Sequence, residues 1–567
     1  MFIATIICAL ICGAIWVFWR NYLRWYIAKS HLENLPGPPA KSFWTGNLSA
    51  FVERHSWDFQ LDMALNYGPV VNFKGFLGNP MLYVSDPKAL HSIIVKDQYV
   101  YEETPTFLRL NRIVFGTSLI STLGEAHRTQ KKMLNPVFSI AHMRYMLPIF
   151  YNVANKLGSA VGARVADGPQ ELDMLGWMGR TALELIGQGG LGYSFDPLVR
   201  DKADAFGDAL KMLLPTLTEL GVLRFAIPFV VQIGTPAFRR RLVEILPSRR
   251  VRKLRDVVDT MDQRSRDIFD ARKAALKEGD EAVLRQVGQG KDIMSILIKA
   301  NMETTLEEDR LPEEELVAQM STFIFAASDT TSNTLARILH LLAQHQDIQD
   351  KLRQELLTAC QSDAPLSYDR LMQLSYLDAV CRETLRVHPP ATMLDRQARK
   401  DMMLPLSEPI RGINGQMMSE IPVPEGTKVF VGVVGSNLNK ALWGEDALEW
   451  KPERWLSPLP NAVTEARIPG VFSNLMTFLG GSRACLGFKF SEMEMSEYCM
   501  PLSRVGKIDE FPPGEVVLAV LVPKFTFELT AKPIVWNMAP VRYPTVGKES
   551  VKAEMPLKVG LFKKFDV

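Results

Sequence analysis

The sequence predicts a mainly α-helical protein with small β-sheets, built as one large domain behind an N-terminal transmembrane helix. From about residue 56 to 385, apolar residues recur at three- and four-residue spacing, which is the spacing of amphipathic helices. Strand character appears in short apolar runs at residues 70–73, 81–84 and 428–431. The first 19 residues carry no charge, and no internal repeat is evident.

Composition supports a large folded core and excludes several classes of protein. Of the 567 residues, 47% are hydrophobic and 23% charged, so a disordered or low-complexity chain is excluded. The 65 Lys and Arg residues nearly balance the 63 Asp and Glu residues, and the net charge of +2 argues against a nucleic-acid-binding protein. The six cysteines include no C-x-x-C pair, which argues against a disulfide framework and a zinc site.

Residues 1–29 are predicted to anchor the chain in a membrane. The uncharged residues 1–19 would extend roughly 28 Å as a helix, close to the thickness of a bilayer's hydrocarbon core. Positive charge follows at Arg20, Arg24 and Lys29, so the positive-inside rule predicts a single-pass protein whose body is cytoplasmic. A cleaved signal peptide is the alternative, but the basic stretch and small-residue cleavage site that it requires are missing.

The rest of the chain divides into a short hinge and one domain. Residues 30–55 form a Pro-rich hinge that contains the stiff, non-helical sequence L-P-G-P-P. Residues 56–567 form the single domain, in which the mixed-charge residues 248–281 are interpreted as a solvated helix face.

Residues 187–192 match G-x-G-x-x-G, but they follow a helical segment rather than a strand. We therefore interpret them as a glycine cluster at a helix C-terminus, not as a dinucleotide site.

The strongest motif is F-L-G-G-S-R-A-C-L-G at residues 478–487. Its glycines let the backbone approach a flat ligand and direct amide groups at the cysteine sulfur, while Arg483 adds a cation that favours a thiolate. A buried cysteine in a glycine turn is the alternative for such a residue taken alone. The pattern F-x-x-G-x-R-x-C-x-G resembles the haem-thiolate signature of the cytochrome P-450 superfamily. The resemblance implies that Cys485 ligates the iron of haem b, and that Phe478, Arg483 and Gly487 bind the cofactor.

A second motif, A-A-S-D-T-T at residues 326–331, lies in a helical stretch predicted over residues 313–342. Taken alone, Thr330 would bond back to a carbonyl one turn earlier, and Asp329 would reach a neighbouring side chain. The segment resembles the distal-helix motif of the same superfamily, [A/G]-G-x-[D/E]-T-[T/S]. The resemblance implies that Asp329 and Thr330 are catalytic, supplying protons and steadying the bound oxygen. Ala327 departs from the usual glycine.

A third motif, E-T-L-R at residues 383–386, places an acid and a base three residues apart on one helix face. Alone, such a pair is usually a surface salt bridge of little consequence. Together with P-E-R-W at residues 452–455 it resembles the E-x-x-R and P-E-R-F elements of the superfamily. Glu383, Arg386 and Arg454 would then form a structural network that holds the cysteine loop.

Further basic residues complete the expected cofactor site. By resemblance, His127 and Lys131 stand where related chains carry W-x-x-x-R, and Arg396 stands where they carry an arginine that faces the cofactor. All three would bind the haem propionates, because a carboxylate inside a protein requires a charged donor. His127 by itself is equally consistent with an ordinary surface histidine.

The resemblance implies a monooxygenase that inserts one oxygen atom from O₂ into a lipophilic substrate, as in terpenoid secondary metabolism. Electrons would come from NADPH through a cytochrome P-450 reductase, with cytochrome b5 as a second donor, at the endoplasmic reticulum membrane. The reductase would dock on a basic surface formed by Arg128, Lys131, Lys132 and Lys489. By resemblance, the substrate pocket would be lined by mostly apolar segments: residues 107–115, 213–230, 323, 325 and 390–394. Residues 223–230 are hydrophobic enough to contact membrane lipid.

Two other functions stay open at this point, and one of them depends on an unusual segment. Some haem-thiolate relatives rearrange or dehydrate substrates without a reductase, although the intact Asp329-Thr330 pair argues against this. A non-catalytic membrane haem protein is the other alternative. It gains weight from residues 496–514, a Pro-containing insert between two helix-like segments that relatives usually lack. We hypothesise that this insert is a translated intron, and that its presence would impair haem retention.

Overall fold

The computed structural model describes most of the chain. The described residues are 12, 13, 15, 16, 19, 23, 32–195, 198, 207, 209–210, 212–213, 216–217, 230–279, 281–282, 287, 290–304, 310–359, 373–495 and 516–562. Most of the predicted anchor and the whole insert lie outside these residues, so both stay predictions. Among the described residues, no helix is both long enough and apolar enough to cross a bilayer.

Helices make up most of the described chain, as predicted. The longer ones are Trp57–Asn66, Pro105–Phe115, Gly124–Leu134, Ile140–Arg164, Met174–Leu185, Pro236–Ile245, Arg249–Glu278, Ile293–Glu303, Glu313–Gln344, Gln346–Ala359, Ser375–Val387 and Phe488–Met495. The shorter ones are Leu48–Val52, Pro87–His91, Val433–Asn437, Lys440–Trp443, Asn461–Glu465 and Val517–Leu521. One extensive apolar core joins most of the longer helices.

The longest helix, Glu313–Gln344, passes through this core and is called the distal helix below. Three glutamates occupy its first turn, where negative charge interacts favourably with the helix dipole. Most of its residues are buried, and it packs against the helices Met174–Leu185 and Arg249–Glu278. The predicted helix over residues 313–342 is therefore confirmed.

The described strands form small sheets. Their bounds are β1 Val70–Lys74, β2 Pro80–Val84, β3 Tyr101–Glu102, β4 Gln170–Asp173, β5 Met393–Ala398, β6 Met402–Arg411, β7 Met417–Val423, β8 Lys428–Gly432, β9 Phe525–Leu529, β10 Ile534–Asn537, β11 Tyr543–Val546 and β12 Pro556–Leu561. The largest sheet has the order β1-β2-β8-β5-β3, and β2 pairs with β8 in parallel. The others are β4-β12-β9, β10-β11 and β6-β7.

Three apolar runs predicted as strands are confirmed as β1, β2 and β8, and each is largely buried. The hairpin β6-β7 was not predicted. Two prolines, Pro405 and Pro409, lie within β6, and proline removes a ladder donor, which argues against a strand. The hairpin accommodates them by a register shift between Pro405 and Ile410.

The glycine-rich segment behaves as the sequence analysis predicts. The helix Met174–Leu185 continues as one π-helical turn, Ile186–Leu191, and ends at Gly192. Gly192 adopts the left-handed conformation with φ 63°, which is the usual geometry of a glycine that terminates a helix. The segment follows a helix and not a strand, so its match to G-x-G-x-x-G has no dinucleotide-binding context.

A buried histidine should make the fold sensitive to acid. His340 of the distal helix accepts a hydrogen bond from the Trp536 indole at 3.1 Å, and burial, with Arg337 nearby, lowers the pKa of His340 to about 4. The unfolded chain binds this proton near pH 6.5, so stability falls as the pH drops below that value. Between pH 7 and 5 the loss is expected to be about 2 kcal/mol.

Urea unfolding midpoints at pH 7 and 5 would measure this loss. His340→Gln retains an acceptor for Trp536 and should unfold with a smaller difference between the two pH values. Substitution of the exposed His345 by glutamine is the control, and it should leave the difference unchanged. An equal pH dependence in wild type and His340→Gln would contradict the assignment.

Candidate functional site

The loop that carries Cys485 is held by its backbone. The Cys485 amide donates to the Phe478 carbonyl at 2.9 Å, and the Val471 amide donates to the Leu479 carbonyl at 2.7 Å. A β-carbon on Gly480 would lie 1.7 Å from the Pro469 carbonyl oxygen, so no other residue fits there. Gly481 has φ 64°, and a β-carbon there would lie 2.1 Å from a carbonyl oxygen. These contacts explain the glycines and fix the position of the sulfur.

Cys485 itself is exposed and precedes the helix Phe488–Met495. The Ser491 amide donates to the Gly487 carbonyl, so helical hydrogen bonding starts directly after the cysteine. A helix N-terminus carries partial positive charge, which favours a thiolate nearby. This helix also packs against the distal helix, which brings the cysteine loop and the distal helix to the same part of the core.

A cavity of about 370 Å³ opens beside the loop, and its cationic side chains outnumber its acidic ones. It brings together four of the predicted cofactor-binding residues from three segments: the helix Gly124–Leu134 carries His127 and Lys131, β5 carries Arg396, and the cysteine loop carries Arg483. Arg483 donates to the Leu119 and Thr122 carbonyls at 3.2 and 2.7 Å, which holds the cysteine loop to the segment before the helix Gly124–Leu134.

An acid missed by sequence reasoning joins two of these arginines. The Glu103 carboxylate lies 3.4 Å from Arg396 and 3.3 Å from Arg483, measured to the same oxygen, and the side chain is buried. Glu103 therefore aligns guanidinium groups from a strand and from the cysteine loop. In the sequence, the only feature that could have indicated Glu103 is its position just before Thr104, which caps the helix Pro105–Phe115.

His127 and Lys131 lie one turn apart on the helix Gly124–Leu134. Burial, together with Arg483 and Lys131, lowers the pKa of His127 to about 3, so its ring is neutral and carries one N–H donor at neutral pH. Lys131 donates to the Ser482 carbonyl at 2.6 Å. Burial and Arg483 lower the pKa of Lys131, whereas Cys485 raises it.

The distal helix exposes one short stretch in its buried middle. Ala326 is exposed, and Ala327, Asp329 and Thr330 are partly exposed, although Phe323, Ile324 and most later residues are buried. This stretch therefore faces an interior space. The Thr330 hydroxyl donates to the Ala326 carbonyl at 2.7 Å, which is the back-bond that the sequence alone predicts.

The structure brings Glu383, Arg386 and Arg454 together. Glu383 and Arg386 are fully buried and form two hydrogen bonds of 2.8 and 2.7 Å. Arg454 lies 3.3 Å from the same carboxylate and also donates to the Trp443 and Asp446 carbonyls. The Trp455 indole, which replaces the usual phenylalanine, donates to Glu383 at 2.9 Å.

This network is connected to the cysteine loop through Asn437. Arg386 donates to the Asn437 backbone carbonyl at 3.1 Å. The Asn437 side chain accepts from the Met476 amide at 2.9 Å and donates to the Thr477 hydroxyl at 2.9 Å. Because Met476 and Thr477 directly precede the loop of residues 478–487, the buried charges position the chain that leads to the sulfur.

The residues present fit an iron porphyrin. The Cys485 thiol is exposed on a glycine-rich loop. The cationic side chains beside it could pair with the two propionate groups of a haem. Phe478 packs edge-on against Phe472 at 5.5 Å, and it provides an aromatic surface next to the loop. A β-carbon on Gly487 would meet its nearest atom, on Phe138, at 3.9 Å, an ordinary van der Waals distance, so Gly487 is not tightly enclosed beside the cysteine.

Comparisons with known proteins agree with this geometry. The cytochrome P450 family model matches residues 36–502. The chain is 57% identical to cytochrome P450 monooxygenase 81 of Postia placenta, over 98% of this chain and 97% of that protein. It is 46% identical to a ganoderic acid synthetase of Ganoderma lucidum over 98% of each chain. Similarity of this extent shows that the protein belongs to the fungal cytochrome P450 superfamily and is a haem-thiolate monooxygenase.

Proposed function

We propose that the protein inserts one oxygen atom from O₂ into a lipophilic secondary metabolite, such as a terpenoid, with electrons from an NADPH-dependent reductase. The observation that carries the proposal is the thiol of Cys485 beside a cationic cavity and near a distal helix with an acid-alcohol pair. The similarity to a ganoderic acid synthetase supports a secondary-metabolite substrate. We place the protein in the endoplasmic reticulum membrane with its catalytic domain in the cytoplasm.

In this proposal Cys485 ligates the haem iron, and the bound haem supplies the oxygen-activating chemistry. Arg396, Arg483 and Lys131 neutralise the propionates, and the neutral ring of His127 donates its single N–H. Phe478 would make an apolar contact with the flat face of the macrocycle, and Gly487 would leave space for it. Cytochrome b5 is a second electron donor in this proposal.

The chain's own contribution to proton movement lies at Asp329 and Thr330. The Thr330 Oγ1 donates to Ala326, and rotation of its side chain would release this hydroxyl toward the interior space. The Asp329 carboxylate could accept a proton from solvent. Because consecutive residues of a helix do not face each other, the proton would reach the Thr330 hydroxyl through water. Ala327 is partly exposed on the same stretch and adds one methyl group where the superfamily usually has glycine.

Aromatic residues line the neighbouring interior and support a lipophilic substrate. Phe115 and Phe325 pack with ring centroids 5.0 Å apart, and Phe138 and Phe323 pack at 5.5 Å. Aromatic side chains packed in this way exclude water, and the exclusion of water strengthens polar interactions inside the site. Of the expected pocket segments, most of residues 213–230 lie outside the described part of the chain.

An electron-transfer partner would bind on the cysteine side of the protein. Arg128 and Lys132 are exposed there, Lys131 and Lys489 are partly exposed, and the first three line the cationic cavity. Positive surface charge steers an acidic partner and speeds association. The reductase is therefore expected to bind less tightly as salt is raised.

Product analysis would test the proposed function. Membranes that contain the protein and an NADPH-dependent reductase would be incubated with terpenoids and fatty acids under ¹⁸O₂, with the Cys485→Ser variant as the control. One ¹⁸O atom in a product that requires NADPH is the expected result. A product that forms without NADPH and O₂ would instead indicate isomerase or dehydratase chemistry, and it would contradict the monooxygenase proposal.

Replacing Thr330 by alanine should lower product formation by about 10²-fold, because proton delivery by a positioned group contributes on this scale. Haem content should not change, and NADPH consumption without product should increase. Thr334→Ala is a matched control, since Thr334 makes the same back-bond, to the Thr330 carbonyl at 2.8 Å. Equal losses in both variants would show that the effect is structural.

A further inference from the structure

Two arginines meet in the protein interior away from the haem site. Arg337 lies in the second half of the distal helix, and Arg542 directly precedes β11. The Arg542 amide donates to the Pro390 carbonyl at 2.9 Å, which fixes it near the end of the helix Ser375–Val387. Both arginines lower the pKa of His388, which is the first residue after that helix. Three distant parts of the sequence therefore converge at one point.

The surroundings of these side chains are aromatic rather than acidic. The Arg542 guanidinium lies 3.9 Å from the Trp57 ring centroid, and the Arg337 guanidinium lies 4.7 Å from the Trp536 ring centroid. Arg337 donates to the His388 ring, with distances of 2.8 and 3.1 Å to its nitrogens. Burial and nearby arginines lower the pKa of His388, so its ring is a neutral acceptor.

In the described part of the chain, neither arginine forms a salt bridge. Burial and the like charge of Arg542 both lower the pKa of Arg337. Burial lowers the pKa of Arg542 to about 9. At neutral pH a guanidinium keeps its proton even under these conditions. Two buried like charges without a carboxylate are strongly unfavourable, and proteins normally pair such charges.

The hydrogen-bond donors of the pair show where a counter-charge would bind. Nε and one terminal nitrogen of Arg542, and Nε of Arg337, are buried without a hydrogen-bond acceptor among the described residues. Arg337 and His388 lie deep in the protein, yet both retain accessible surface. Arg542 is buried, so its unsatisfied cationic donors lie beside the accessible surface of Arg337 and His388, where a small ion could bind.

We propose that Arg337 and Arg542 bind a small monovalent inorganic anion, with the size and charge of chloride or bromide, beside His388. Among the described residues, Arg386 also acts on His388, but it already donates to Glu383 and to backbone carbonyls. A phosphate would therefore find too few donors to replace its hydration. The bound anion connects the distal helix, the end of the helix Ser375–Val387 and the segment before β11. It therefore stabilises the folded protein and is separate from the haem chemistry.

Thermal unfolding of the full-length, haem-containing protein in detergent would test the site. Sodium bromide would replace sodium methanesulfonate at constant ionic strength, so that the identity of the anion changes while the total salt does not. A ligand that binds only the folded state raises Tm with its concentration, and a rise of a few degrees is expected for the wild type. Arg337→Gln and Arg542→Gln should each lose most of the rise.

Arg240→Gln is the matched control, because Arg240 is exposed and paired with Asp259, and it should keep the full rise. An absent rise in the wild type, or an equal rise in Arg542→Gln, would overturn the proposal. A larger rise with inorganic phosphate than with bromide would overturn the assignment to a small monovalent anion.

A second measurement does not depend on variants that fold. Crystals of the wild-type protein grown in bromide should show an anomalous peak within hydrogen-bonding distance of both guanidinium groups. The absence of such a peak at full bromide concentration would reject the site.

Discussion

Cys485→Ser is expected to abolish both oxygenase activity and the sulfur-ligand spectrum of the reduced, carbon-monoxide-treated protein. A serine hydroxyl stays protonated at neutral pH and lacks the electron-rich sulfur that a haem-thiolate centre uses. The substitution changes one atom of an exposed side chain on a loop held by backbone hydrogen bonds, so the fold should persist. Difference spectra and product assays on the same preparation would measure the two losses.

A second cysteine provides the control for this experiment. Cys381 is fully buried on the helix Ser375–Val387, distant in sequence from the loop. Cys381→Ala should retain the sulfur-ligand spectrum, because no cofactor role is assigned to that thiol. A normal spectrum in Cys485→Ser, with haem bound and the protein folded, would remove the basis of every site assignment.

Glu383→Gln is expected to prevent accumulation of folded, haem-containing protein. The substitution leaves Arg386 and Arg454 without their shared carboxylate in a fully buried position. Breaking a buried ion pair in this way costs about 3–5 kcal/mol, a large part of the 5–15 kcal/mol that stabilises a typical domain. The network also positions Met476 and Thr477, so loss of haem should accompany loss of stability.

Two neighbouring substitutions should reduce stability by smaller amounts than Glu383→Gln does. Trp455→Phe removes a single hydrogen bond to Glu383 and should cost about 1–3 kcal/mol. Glu453→Gln removes an acid from the same P-E-R-W motif, but its partner Lys351 is 52% exposed, so the cost should stay below about 1 kcal/mol. The haem-to-protein ratio and the urea midpoint of each variant would establish the order. Wild-type values for Glu383→Gln would contradict a structural role for the network.

Much of the site could be predicted because its signals are local. Glycine spacing identified the Cys485 loop, and the contacts of Gly480 and Gly481 with carbonyl oxygens show why other residues do not fit. Helical periodicity identified the distal helix to within two residues of its end. In both cases neighbouring residues in the sequence are also neighbours in space.

The features that were missed depend on contacts between distant segments. Glu103 meets Arg396 and Arg483 only after three separate segments have packed together. The same holds for Arg337 and Arg542, which carry no motif. The strand β6 was missed for another reason, since two prolines obscured a pairing that only an irregular hairpin tolerates.

The backbone attachment of the cysteine loop has an evolutionary consequence. Because main-chain hydrogen bonds and two obligatory glycines set the sulfur position, the side chains of Ser482, Ala484 and Leu486 can change without moving it. Mutations at these positions can therefore tune the polarity around the sulfur, and with it the reduction potential that a bound haem would have, while the sulfur keeps its position. A lineage with such a loop can diversify its catalysts through gradual adjustment of one inherited centre.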